Sequence, residues 1–171
     1  MDADAPVRGA PWLVLTGERA KAVLRGGAVL ETSARRVAAL GPDILASELD
    51  TAAIVANLRR IEQRQAVGEA LLDQRLLAGI GNIWRSEALW HTRLSPWLRL
   101  ADVDDAELFA LIQHAASLMR QARDGSRPRR EAYRRAGRPC HRCGELLLFA
   151  RQGDAARTVY WCPSCQPEGG R

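Results

Sequence analysis

Cys140, Cys143, Cys162 and Cys165 are the four cysteines of this 171-residue chain. They fall in two Cys-x-x-Cys pairs with eighteen residues between the pairs. A Cys-x-x-Cys turn puts two thiolates on one side of a tight bend. Two such turns at this separation make the donor set of a tetrahedral four-cysteine zinc site, with Zn–S bonds of about 2.3 Å. Four thiolates leave no open coordination position, so a zinc ion held this way is structural. Gly144 follows the first pair and suits the left-handed backbone such a knuckle needs, and Pro163 stiffens the second. The alternative chemistry is a pair of disulfides, which requires an oxidising compartment. The opening residues, Met1-Asp2-Ala3-Asp4-Ala5-Pro6, have neither the basic nor the apolar region of a secretory signal, which favours zinc. His141 lies inside the first knuckle and reads as a surface residue rather than a fifth ligand.

A second set of chemistry-bearing residues is the arginines. The chain has 25 Lys+Arg against 20 Asp+Glu, a net charge of +5, and Lys21 is its only lysine. The guanidinium fork binds phosphate bidentately. From Arg120 to Arg142 nine arginines face two acids, Asp124 and Glu131, whereas Asp102 to Glu107 is acidic. A basic segment leading into a zinc site is a nucleic-acid footprint, although a charge run alone is usually a solvated face. No apolar stretch approaches the roughly eighteen residues of a membrane span. No membrane partner is expected.

The most specific stretch is Leu71-Leu72-Asp73-Gln74-Arg75-Leu76-Leu77-Ala78-Gly79-Ile80-Gly81-Asn82-Ile83-Trp84-Arg85-Ser86-Glu87. It reads as a helix, a glycine turn and a second helix. Gly79 and Gly81 let backbone approach a ligand closely. The N–H groups at the second helix start can bind an anion such as phosphate, and Asn82 adds a side-chain donor there and can cap the helix. Glu69 reads as a helix N-terminal charge.

These residues need elements to hold them. Trp12–Leu15, Lys21–Leu24 and Ala28–Leu30 read as short strands, with a turn at Thr16-Gly17-Glu18. Two or three short strands cannot make an independent core. Asp50 caps a helix carrying Ile54, Val55, Leu58 and Ile61. Gly68 breaks the pattern, a short helix spans about 69–78, and the next helix runs through Trp84, Glu87 and Trp90. A longer helix over about 104–123 shows Leu108, Leu111, Ile112, Ala115, Leu118 and Met119 on one core stripe. Residues 124–128 are a linker. Leu146–Phe149 and Thr158–Trp161 form a hairpin between the knuckles.

The mid-chain stretch resembles the helix–two-turn–helix of the formamidopyrimidine-DNA glycosylase / endonuclease VIII family of base-excision repair enzymes. Arg138-Pro139-Cys140-His141-Arg142-Cys143-Gly144 is similar to that family's first zinc knuckle. Arg157-Thr158-Val159-Tyr160-Trp161-Cys162-Pro163-Ser164-Cys165-Gln166 is similar to its second, and Tyr-Trp-Cys-Pro leans toward endonuclease VIII. The resemblance covers about 50–166. It implies that Asn82 holds a DNA phosphate near the lesion. It implies that Arg157, at the tip of the zinc hairpin, grips phosphates flanking the damaged nucleotide and donates a proton in δ-elimination. It places Arg75, where many relatives have lysine, at a backbone-facing position, counts Gly81 among the DNA-binding residues, and implies a monomeric, cytoplasmic, nucleoid-associated protein of bacterial type.

The same resemblance implies an N-terminal proline nucleophile, a following glutamate and an assisting lysine in a β-sandwich. Here positions 2 and 3 are Asp2 and Ala3, Pro6 and Pro11 are internal amides, and Lys21 does not match the family's context. The α-amine of Met1 is a conceivable substitute. A truncated or mis-started chain, or a degenerate relative that binds without cutting, accounts for this, and the chain alone is expected not to excise bases.

The expected fold is α+β: a remnant of a β-sandwich over 1–48, a helical helix–two-turn–helix domain over 49–126, and a zinc hairpin bearing the four cysteines over 127–171. The expected partner is double-stranded DNA with a damaged base or abasic site. A zinc-ribbon nucleic-acid binder without catalytic ancestry explains the cysteines and the charge but not the mid-chain stretch. A Cys-x-x-Cys redox protein lacks its βαβ context.

Overall fold

The computed structural model describes residues 10–25, 34–126 and 128–168. The expected strand at 28–30 and the residues from Met1 to Pro6 lie outside them. The chain divides into two units, Met1–Arg36 and Val37–Arg171.

In the first unit, β1 (Leu13–Thr16) and β2 (Lys21–Leu24) form an antiparallel hairpin, with Leu13 opposite Leu24 and Thr16 opposite Lys21. Gly17 donates its N–H to the Ala20 carbonyl at 2.9 Å to close the turn. None of its described residues is buried. A single helical turn, α1 (Arg35–Ala38), has no counterpart in the sequence pattern.

The second unit holds both the longer helices and the four-cysteine segment. The Asp50 carboxylate accepts the Ala53 N–H at 2.8 Å and starts α2 (Thr51–Arg60), whose Ile54, Val55 and Leu58 are buried. The helix expected over 69–78 is only one turn, α3 (Val67–Ala70). Tighter turn bonds, Leu72 N–H to the Glu69 carbonyl and Asp73 N–H to the Ala70 carbonyl, follow it, and the Asp73 carboxylate then takes the Arg75 N–H at 3.0 Å, a local bond that competes with resuming the helix ladder. Gly68, expected to break the pattern ahead of this helix, sits inside α3. A Cβ there would lie 2.5 Å from Gln152 Oε1 and 2.9 Å from the Pro96 carbonyl, so the missing side chain is what lets neighbouring chain close over the turn.

Next come α4 (Asn82–Thr92) and α5 (Asp105–Arg123). Asp104 and Glu107 form a reciprocal capping box at the start of α5. The expected stripe of α5 is buried, and most of it packs with Leu58, Leu71, Leu77 and Leu89 in the main core. The last pair, β3 (Leu148–Gln152) and β4 (Arg157–Trp161), is antiparallel, with Phe149 opposite Tyr160 and Gln152 opposite Arg157. Its first strand lies later than the expected 146–149, because Leu146 instead bridges to Pro139 beside the first knuckle. A smaller core of Trp90, Ala132, Cys140, Leu147 and Cys162 lies beneath the cysteines.

Candidate nucleic-acid interface and metal centre

The four cysteines converge. Their sulfurs all lie within 4.8 Å of one another, and none is in a disulfide. Tetrahedral zinc with 2.3 Å bonds spaces its sulfurs about 3.8 Å apart; Cys143 and Cys162 Sγ are 3.5 Å apart. Gly144 has φ +84°, as the knuckle requires, and its N–H bonds the Cys140 carbonyl at 2.9 Å. Burial alone would raise the Cys140 thiol. Backbone N–H groups of Arg142 and Cys143 and the Trp90 indole outweigh it and bring that thiol to about 6, while burial pushes Cys162 up to about 12. Thiols this close cannot all ionise without a cation among them, and a divalent metal would draw all four into thiolates. The donor set therefore fits a metal. The His141 ring sits between the Glu131 carboxylate and the guanidinium groups of Arg129 and Arg135, away from the cysteine set.

A cleft of about 600 Å³ opens between the glycine turn and the tip of the β3–β4 hairpin. Asn82, Gly81, Arg75 and Arg157 all line it, together with Glu69, Asp73, Arg85 and Gln152. The turn is braced from inside. Gln74 Oε1 accepts the Gly79 N–H at 2.9 Å, and Gln74 Nε2 donates to the Ile80 carbonyl at 3.0 Å. Gly79 has φ +98° and needs glycine. Gly81 does not: its φ is −116°, and a Cβ would meet nothing within 4 Å. Room at Gly81 faces the cleft rather than a packed neighbour.

Asn82 is not the N-cap of α4; Gly81 is, without a side-chain bond. The cap role fails because the Asn82 side chain points elsewhere. Its Nδ2 donates to the Thr158 carbonyl at 2.7 Å and its Oδ1 accepts from Arg85 Nη2 at 2.5 Å. Arg75 makes a two-pronged pair with Asp73, with Nη2 to Oδ2 at 2.6 Å and Nε to Oδ1 at 2.9 Å. That guanidinium holds the Asp73 carboxyl below the usual range. Arg157 is exposed at the start of β4.

Residues 40–128 match the family profile described as the formamidopyrimidine-DNA glycosylase H2TH domain. The chain belongs to that family. It is 42% identical over 144 residues to the probable endonuclease 8 2 of Streptomyces coelicolor, covering 77% of this chain and 51% of that protein. It is also 42% identical over 148 residues to the formamidopyrimidine-DNA glycosylase of Thermomicrobium roseum, covering 76% and 50%. The chain thus spans about half the length of the curated relatives it matches. Among solved structures it superposes on Lactococcus lactis Fpg in complex with DNA containing an abasic site. That match has a TM-score of 0.73 and 21% identity, over 97% of this chain and 69% of the other, and it shows a shared fold.

Within this H2TH family member, sequence reading misses the residues that fasten the hairpin to the helices. Arg85 is fully buried. Its Nη1 donates to the Gly68 carbonyl at 3.2 Å and to Gln152 Oε1 at 3.3 Å, and Nη2 also reaches the Arg157 carbonyl at 3.4 Å. Burial lowers its pKa to about 10, and the nearby Glu69 carboxylate opposes that shift. Buried Gln152 donates to the Pro96 carbonyl at 2.8 Å, and Gln166 donates to the Leu94 carbonyl at 2.8 Å. The Glu87 carboxylate, also buried, accepts the N–H groups of Glu131, Ala132 and Tyr133 at 2.8, 3.2 and 2.8 Å. Trp90 Nε1 donates to Cys140 Sγ at 3.3 Å, and the Arg142 guanidinium lies 3.9 Å over the Trp90 ring. One signal is available in the sequence: Arg85 falls between Asn82 and Leu89 at helical spacing, a charge on a stripe that packs.

Proposed function

We propose that the chain binds double-stranded DNA carrying a damaged base or an abasic site, as the DNA-gripping half of a base-excision repair glycosylase and abasic-site lyase. The observation that carries this reading is the cleft in which Gly81, Asn82, Arg75 and Arg157 meet. Asn82 and the N–H groups at the start of α4 take one backbone phosphate. Arg157 takes phosphates flanking a flipped-out nucleotide and supplies the δ-elimination proton in the complete enzyme. Arg75 leaves Asp73 to meet the backbone. The four cysteines hold one structural zinc, which fixes the hairpin that carries Arg157.

The proposed organisation is a β-sandwich remnant over 1–48, a helical DNA-binding part over 49–126 and a zinc finger over 127–171. The proposed location is with bacterial chromosomal DNA. The names of the relatives and the abasic-site DNA in the Lactococcus lactis complex support this reading. A zinc ribbon without this ancestry gives no reason for the braced glycine turn.

Fluorescence anisotropy with an abasic-site duplex tests it. Affinity should fall with salt by about 0.9 log unit per log unit for each phosphate neutralised. Asn82→Ala and Arg157→Ala should each weaken binding by roughly 1–3 kcal/mol, the scale of charge-assisted hydrogen bonds. A double variant that binds as tightly as the parent would refute the assignment.

A further inference from the structure

We propose that Arg85 is a positioning residue whose buried guanidinium fixes the orientation of the Asn82 amide and ties it to the zinc hairpin. The proposal rests on the phosphate role given to Asn82.

A carboxamide can rotate by half a turn and exchange its oxygen for its nitrogen with little change of shape. Its partners decide which way it points. Arg85 offers only donors, and Nη2 meets Asn82 Oδ1 at 2.5 Å. The Thr158 carbonyl is only an acceptor, and it takes an Nδ2 hydrogen at 2.7 Å. The flipped amide would face donor to donor and oxygen to oxygen at once. Arg85 and Thr158 together therefore hold the amide nitrogen on the hairpin side. That nitrogen has two hydrogens, and Thr158 uses one; the other can meet an anion in the cleft that Asn82 lines.

The same guanidinium reaches the backbone of Arg157, so it links both proposed phosphate contacts. It also bonds the Gly68 carbonyl and Gln152 Oε1, joining α3, α4, β3 and β4. A fully buried cation is costly, and an apolar side chain of similar volume would fill the space without that cost. Arg85 makes no salt bridge among the described residues. Its bonds go to three carbonyl or amide oxygens besides Asn82, and the compensating charge is Glu69, which lines the same cleft. The Arg85 guanidinium thus orients neutral groups rather than neutralising an acid.

The test uses the zinc-loaded full chain. Arg85→Met should weaken binding of an abasic-site duplex about ten- to a hundredfold, the scale of one hydrogen bond to a charged group. Asn82→Ala should do the same, and the double variant should lose much less than the product of the two single losses, because Arg85 acts mainly through that amide and only in smaller part through the Arg157 backbone. Arg85→Lys, which can still donate to Oδ1, should recover part of the loss. Zinc content should stay at one per chain in each variant. By NMR, the two Asn82 side-chain amide protons should be distinct and slowly exchanging in the parent, and averaged or faster exchanging in Arg85→Met. If Arg85→Met does not fold, Arg85→Lys and the parent's amide resonances carry the test. Fully multiplicative losses, or freely rotating Asn82 amide protons in the parent, would overturn the proposal. No loss with Asn82→Ala would instead sink the phosphate reading, while the NMR signature would still report on Arg85.

Discussion

Two hairpins of similar size occur in this chain, and they are held by different means. β1–β2 pairs four residues with four, buries none of its described side chains, and exposes Leu15 and Leu24, with Trp12 exposed just before it. β3–β4 pairs five with five and buries Gln152, Val159 and Trp161. It is fastened at its base by the cysteine cluster and at its tip by Arg85 and Asn82. Isolated two-stranded hairpins are marginal in water. Backbone pairing is common to both; among the described residues, side chains that reach into a neighbouring element distinguish the second. The cleft that Asn82 and Arg157 line is bordered by the fastened kind.

The largest effect should come from the metal. Cys162→Ser, or a strong chelator, should melt β3–β4 while leaving most helical circular dichroism, because the main helical core is separate from the cluster under the cysteines. Structural zinc contributes about 10–16 kcal/mol of apparent binding free energy in comparable sites. A hairpin that stays ordered without metal, by amide exchange, would erase the distinction drawn between the two hairpins.

Glu87→Ala comes next. It leaves three N–H groups at 131–133 without their acceptor. A loss of about 3 kcal/mol in urea unfolding is expected, from hydrogen bonds to a charged group. A smaller loss, below about 1 kcal/mol, would mean that the segment entering the four-cysteine cluster is held mainly by the cysteines.

The glycines sharpen the comparison further. Gly68→Ala should cost about 1–3 kcal/mol of stability, the usual penalty of overpacking, because the new methyl meets Gln152 and Pro96. Gly81→Ala should cost roughly 0.5–1 kcal/mol, because Ala is a poorer N-cap than Gly although its Cβ meets nothing in the chain, and it should weaken DNA binding. Thermal melts beside anisotropy titrations separate the two.

The smallest effect should be in β1. Leu15→Ser should change stability by less than about 0.5 kcal/mol, as exposed substitutions do. A large loss would show that β1–β2 is packed more firmly than its exposure indicates.

Much of this is legible in the sequence. The cysteine spacing, the Asp50 cap, the α5 stripe and the glycine turn are local patterns, and local physics sets them. The periodic leucines over 69–78 point to a full helix and conceal Asp73, whose short side chain bonds backbone two residues on. Gly68 reads as a helix breaker because its true reason is a contact with Gln152, far along the chain, and no local pattern carries such contacts. Arg85 and Glu87 escape notice for the same reason: their partners lie across the fold. Asn82 reads from the residues either as a donor at an anion-binding helix start or as a cap, and the role proposed for Arg157 comes only through family resemblance.

The start of α4 and the tip of the β3–β4 hairpin are proposed to grip neighbouring backbone phosphates in one cleft. Methylphosphonate scanning tests it most directly. Phosphates around an abasic site are neutralised one at a time, and binding is measured for the parent, Asn82→Ala and Arg157→Ala. The account predicts a few sensitive phosphates in the parent, with sensitivity at one position lost in Asn82→Ala and at another, nearby, lost in Arg157→Ala. An unchanged sensitivity profile in both variants would contradict it.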